Sequence, residues 1–217
     1  MSEQTSSKGR SITAIALVLG IFATAAGVWF GADVLQDSRG PDPATMKAGT
    51  LLPTPKPLAP FELVDQDAKP FQQEQLKGRW TFVFFGYTSC PDVCPTTMAT
   101  LQALDRLLSE DGTDTAEFLF VSVDPERDDP ERLTQYVRYF SPQFLGATGT
   151  HEQLRALTRQ LGVLYARVDD QDTAMSYLVD HSASILLLDP DVRLAAIFSA
   201  PHDIAAMAED FGAISGR

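Results

Sequence analysis

The sequence is poor in sulfur and in positive charge. Its 217 residues include only 2 Cys, 3 His and 5 Met, and 17 Lys and Arg stand against 29 Asp and Glu, a net charge of −12. Two cysteines exclude a small scaffold stapled by several disulfides, and they exclude a structural zinc site built from four cysteines of this chain. Without a basic run, and with a net negative charge, the chain is a poor nucleic-acid binder, because phosphate contacts need Lys and Arg. No internal repeat is present, the methionines are scattered rather than grouped into a motif, and no proline lies between Pro142 and Pro190. What remains is a chain long enough for one domain and an appendage, with 44% apolar residues to build a core.

The appendage comes first. Residues 11–30 read SITAIALVLGIFATAAGVWF, twenty positions without a charge. A helix of that length spans about 30 Å, the thickness of a bilayer core. Lys8 and Arg10 precede the run and Asp33 and Asp37 follow it, so the positive-inside rule keeps residues 1–10 cytoplasmic and sends the rest outward. Ala23-Thr24-Ala25 resembles a cleavage site, which makes a cleaved signal peptide the competing reading. The apolar run continues through Val28, Trp29 and Phe30, which favours an uncleaved anchor over residues 11–31. Lys8 and Arg10 against Glu3 give the first 31 residues a charge of +1, so the exported remainder carries −13. From residue 32 to 57 the chain is rich in Pro, Gly and Thr and lacks periodicity, as a flexible tether would.

Residues 58–217 alternate strand and helix signals. Residues 80–86 (WTFVFFG) and 118–123 (FLFVSV) are continuous apolar runs, expected of strands buried on both faces. Between them Met98, Leu101, Leu104 and Leu108 form a helical stripe. Asp129 and Pro130 are suited to cap and open a second helix, with Leu133, Tyr136, Val137 and Phe140 inward. Thr150 and Gln153 have capping-box spacing for a third helix that Gly162 can close. Strands follow at 163–168, 183–188 and 192–198, and a last helix turns Ile204, Met207 and Phe211 inward. This order fits an α/β, thioredoxin-like three-layer domain.

Both cysteines fall in one turn, Ser89-Cys90-Pro91-Asp92-Val93-Cys94-Pro95, after the first core strand and before a helix. Pro95 suits the first helical position and leaves Cys94 at the cap. A helix N-terminus favours thiolate over thiol, and thiolates serve a soft metal or disulfide exchange. A purely structural disulfide is the plainer alternative, but a bridge closing so short a loop constrains little of the unfolded chain. Two thiolates with one further ligand suit Cu(I). His151 opens an amphipathic helix and His202 begins the last one, both common surface positions. His181, in Val179-Asp180-His181-Ser182, precedes the strand at 183–188. In thioredoxin-type domains that approach segment faces the cysteine turn, and redox members carry a cis-proline there that this chain lacks. Asp180 and Asp124, the latter at the end of a neighbouring strand, are candidates to orient or charge-balance the site.

Three segments, LKGRWTFVFFGYTSCPDVCP (76–95), VSVDPERDDP (121–130) and YLVDHSASILLLDP (177–190), resemble the Sco/SenC family of copper-binding assembly proteins of cytochrome c oxidase. The resemblance covers residues 58–211. It implies a membrane-anchored thioredoxin-like domain that binds copper, as Cu(I) and also as Cu(II), through Cys90, Cys94 and His181. It further implies delivery to the dinuclear copper A site of oxidase subunit II. Ser89 stands where many relatives carry a bulkier residue, often His. A disulfide between Cys90 and Cys94 would block this binding, so a thioredoxin-like dithiol reductant is an implied partner, and a copper-donor chaperone is a further candidate. The expected location is a bacterial inner membrane, with the soluble domain in the periplasm. The rival reading is a thiol-disulfide oxidoreductase that reduces the acceptor's cysteines.

Overall fold

The apolar run WTFVFFG at residues 80–86 becomes the centre of a sheet. In the computed structural model, which describes residues 45–110, 116–169 and 177–216, the elements run in order along the chain. They are β1 (Gly49–Pro57), β2 (Glu62–Asp65), β3 (Pro70–Gln72), β4 (Trp80–Gly86), α1 (Val93–Glu110), β5 (Ala116–Ser122) and α2 (Pro130–Phe140). There follow β6 (Leu145–Thr148), α3 (His151–Leu161), β7 (Tyr165–Asp169), β8 (Tyr177–His181), β9 (Ile185–Leu188), β10 (Arg193–Phe198) and α4 (Ile204–Ser215). Eight strands form one sheet in the order β1-β10-β9-β4-β5-β6-β2-β3, and β7 pairs with β8 apart from it. β4, β5 and β6 run parallel, while β9 returns antiparallel on β4 and β10 on β9.

Side chains alternate across a strand, and here both faces are covered. Phe82 and Phe84 on β4 face one way and meet Phe118, Phe120, Phe198 and Phe211 at ring-centroid distances of 5.3–6.1 Å. Val83 and Phe85 face the other way and are equally buried. Burying each of these rings contributes about 1.5–3 kcal/mol. Helix boundaries follow local chemistry. Asp129 caps α2 by accepting the Arg132 N–H at 2.8 Å, with Pro130 in the first turn. Thr150 and Gln153 form the capping box of α3, and Gly162 ends it at φ 70°, in the left-handed region that glycine tolerates.

The described residues, all from 45 onward, belong to one compact unit. The anchor expected over residues 11–31 lies outside the described residues, and among the described residues no helix is long and apolar enough to cross a membrane. The tether was expected to reach residue 57, but residues 49–57 are a strand. β1 lies at the sheet edge, where prolines are tolerated because one side needs no donors. Its pairing with β10 is interrupted between Leu51 and Lys56, where Pro53 and Pro55 sit. Its start is pinned by buried Asp210 of α4, which accepts the backbone N–H groups of Lys47, Ala48 and Gly49 at 2.8 Å each.

Two further differences bear on the site. α1 begins at Val93, so Cys94 lies inside the first turn rather than at the cap. Pro95 still costs no helical hydrogen bond there, because the first four N–H groups have no partner within a helix. The segment around His181 is also a strand, β8, held to β7 with Tyr165 opposite His181. The short strands β2, β3 and β6 carry too few residues to announce a period.

Candidate metal centre

Strand register sets which segments share an end of the sheet. Phe84 is opposite Ile185, and Ile185 is opposite Phe198. The cysteine turn leaving β4, the segment entering β9 and the segment leaving β10 therefore lie at one edge, at the carboxyl end of β4, where open α/β sheets place their ligands.

The turn packs its two sulfurs together. Cys90 donates its N–H to the Tyr87 carbonyl at 3.2 Å, and the Cys94 N–H points to the Cys90 sulfur at 3.4 Å. Both residues are thiols; Cys94 is wholly buried and Cys90 partly exposed. Gly86, the last residue of β4, leaves room for the inner sulfur: a Cβ there would sit 2.7 Å from Cys94 Sγ and 2.9 Å from Phe120 Cε2. Helix-start polarity alone predicts thiolates; for Cys94 the opposite holds. A hydrogen bond with Cys90, and then burial, push its thiol well above the ordinary range. The pair is thus a compact S–H···S unit that must lose its thiol protons before both sulfurs can hold a cation.

Tyrosines flank it. The buried Tyr87 hydroxyl is pushed up to about 12, chiefly by burial, and it hydrogen-bonds with the Cys90 side chain and the Val179 backbone. That contact ties the cysteine turn to β8, two residues before His181. Tyr136 of α2 lies against Phe120 at 5.0 Å, its buried hydroxyl has no hydrogen-bond partner among the described residues, and burial raises it, with both cysteine sulfurs close enough to add to the shift. Neither tyrosine stood out in the sequence. Tyr87 lay in plain view three residues before Cys90, and Tyr136 looked like an ordinary member of an apolar stripe.

The other candidates separate. The backbone of Asp180 and His181 ends β8 beside the turn, and their side chains lie outside what the structure describes. Asp124 is buried and ion-paired with Arg127, whose guanidinium covers the Tyr87 ring at 5.4 Å. Asp124 also accepts the N–H groups of Arg127 and Asp128 on its backbone carbonyl, the turn role that its sequence context suggested. With Val179, Tyr165 and Glu126 it lines a cleft of about 240 Å³. His151 pairs with Glu126 at 2.7 Å, and His202 Nε2 contacts the Ala183 carbonyl at 3.0 Å. Among the described residues no three His, Cys, Asp or Glu side chains cluster to hold a metal. Two adjacent sulfurs nevertheless fit a soft cation that lacks one more donor.

A thioredoxin-like α/β sheet with a dithiol turn at the end of its central strand defines the class of protein. Residues 52–215 match the family model described as SCO1/SenC, and the chain belongs to that family. A putative copper-binding protein of Stutzerimonas stutzeri is 39% identical over 151 residues, spanning 70% of this chain and 73% of that protein. The structure of Bradyrhizobium japonicum ScoI with copper bound superposes with a TM-score of 0.64 at 34% identity, over 73% of this chain and 99% of that one. Arabidopsis thaliana ScoI with copper bound gives 0.67 at 33% identity, over 70% and 93%. Both homologous structures hold copper.

Proposed function

We propose that this protein is a copper metallochaperone that carries copper on Cys90, Cys94 and His181 and passes it to the dinuclear copper A site of cytochrome c oxidase subunit II. The observation that carries the reading is the packing of the two cysteine sulfurs against one another beside β8, in a fold whose copper-bound relatives are similar along most of the domain. Binding releases the thiol protons and leaves two thiolates and a neutral imidazole, a soft donor set for Cu(I) that also serves Cu(II). Release follows by exchange, one protein ligand replaced at a time by an acceptor thiolate. Asp180 and Asp124 serve as outer partners. A dithiol reductant keeps the pair reduced, a donor chaperone loads it, and the segment over residues 11–31 tethers the domain to the periplasmic face of a bacterial inner membrane.

The test is copper bound per chain in the reduced protein, for the parent and for His181→Ala. About one copper that is retained by the parent and lost from the variant supports the three-ligand site. Equal binding by both overturns it.

A second reading, reduction of the acceptor's cysteines, is favoured by the asymmetry of the pair: Cys90 is accessible for attack and Cys94 is buried behind it, as a resolving thiol would be. The raised Cys94 thiol and the absence of proline between Pro142 and Pro190 weigh against it.

A further inference from the structure

Thr88 and Ser89, the two residues immediately before Cys90, are held by the start of α2 rather than by their own strand. Asp128, wholly buried, accepts the Thr88 N–H at 2.8 Å, the Thr88 hydroxyl at 2.6 Å and the Ser122 hydroxyl at 2.5 Å. Arg132 completes the set. Its Nε donates to the Thr88 hydroxyl at 2.7 Å and its Nη2 to the Ser89 hydroxyl at 3.0 Å. The Thr88 hydroxyl is thereby used both as donor and as acceptor. Arg132 is itself anchored, because its backbone N–H is the one that Asp129 caps. Its guanidinium also lies 3.8 Å from the Asp128 carboxylate.

We infer that Arg132 is a positioning residue for the Cys90 sulfur, acting through a two-point grip on Thr88 and Ser89. Cys90 is attached to the fold on one side by the turn to Tyr87 and on the other by the first turn of α1. The segment between Tyr87 and Cys90 is short, so fixing both intervening side chains fixes the direction in which the thiol leaves the backbone. A guanidinium suits this task because its donors form a rigid planar fork, which a lysine ammonium lacks. Ser89 supplies a small hydroxyl at the point where the fork ends. The inference rests on the copper reading only for its copper readout; the grip on the thiol is independent of what the thiol binds.

The test compares the reduced parent with Arg132→Ala, Arg132→Lys, Ser89→Ala and the double variant Arg132→Ala/Ser89→Ala. Two quantities are read: Cu(I) affinity by competition with a chromophoric chelator, and the alkylation rate of Cys90 at fixed pH. The thermal midpoint serves as the folding control. Arg132→Ala is expected to lose about tenfold in Cu(I) affinity, the scale of outer-partner losses at metal sites, and to alkylate faster at Cys90. Lysine recovers only part of the loss, and the double variant is no worse than Arg132→Ala. If Arg132→Ala fails to fold, Ser89→Ala, which removes only the outer contact, must still speed alkylation. Parent affinity together with a parent alkylation rate in Arg132→Ala overturns the inference, as does full recovery by lysine. A parent that binds no copper overturns the copper reading alone, and the alkylation rates then decide the role of Arg132.

Discussion

Replacing Gly86 by alanine adds one methyl group at the most crowded point beneath the cysteine turn. The new Cβ would stand 2.7 Å from Cys94 Sγ, 2.9 Å from Phe120 Cε2 and 3.3 Å from Phe84 Cε1. Comfortable carbon contacts lie at about 3.5–4.0 Å, so the sulfur and the Phe120 ring must each retreat by up to about 1 Å. Neither has free space: Phe120 and Cys94 are both buried, and Phe120 is braced by Tyr136. Overpacking of this kind costs about 1–3 kcal/mol. With a urea slope of about 1–3 kcal/mol per molar, the unfolding midpoint should fall by roughly 1 M. The same displacement moves one of the two sulfurs proposed to hold copper, so Cu(I) affinity should fall by about 10–100-fold. Urea unfolding of the metal-free protein and chelator competition, run on one preparation, read the two effects. An unchanged midpoint would refute the packing argument. A lowered midpoint with parent copper affinity would refute the claim that the inner sulfur belongs to the binding site.

Asp210→Ala strips three N–H groups at the start of β1 of their acceptor, and should cost about 3 kcal/mol, with the Ala48 and Gly49 amides losing protection in hydrogen exchange. Tyr87→Phe removes the hydroxyl that joins Cys90 to Val179; Cu(I) affinity should fall severalfold while stability drops by only about 1 kcal/mol, measured by competition and by urea unfolding. Burial raises Asp128 above its ordinary value against the hydrogen bonds from Ser122 and Thr88. A carboxyl raised on folding contributes stability that is present below its unfolded value and is lost as pH rises through the folded one, here from about pH 4 upward. Asp128→Asn cannot titrate, so its stability relative to the parent should improve as pH rises across that window, as read by unfolding at stepped pH.

The elements that local chemistry controls were legible in the chain. β4 announced itself as seven apolar or near-apolar residues in a row, and α2 and α3 carry their caps in Asp129-Pro130 and Thr150-Gln153. The site was legible to the extent that its cysteines share one turn. What escaped notice depends on partners distant along the chain. β1 looks like a tether because its prolines suppress any period, and it is a strand only because β10 and Asp210 receive it. β7 was expected from the chain but its partner β8 was not, since that five-residue segment is a strand only through its pairing with β7. The tilt toward thiolate expected from a helix start was outweighed at Cys94 by the hydrogen bond with its neighbour's sulfur and then by burial, both products of packing.

Composition and order along the chain pointed to the fold class and to the one turn that holds both cysteines, because those follow from local propensity and from which residue types are present at all. The company each sulfur keeps was set elsewhere. Gly86 beneath Cys94, Tyr87 reaching Val179, Tyr136 from α2, and Asp128 with Arg132 gripping Thr88 and Ser89 are contacts between segments joined only when the sheet closes. No period, cap or motif encodes such contacts, since each depends on the register of strands and the seating of helices rather than on neighbours in sequence. The two cysteines that first counted as a scarcity form a candidate site because folding surrounds them with these groups.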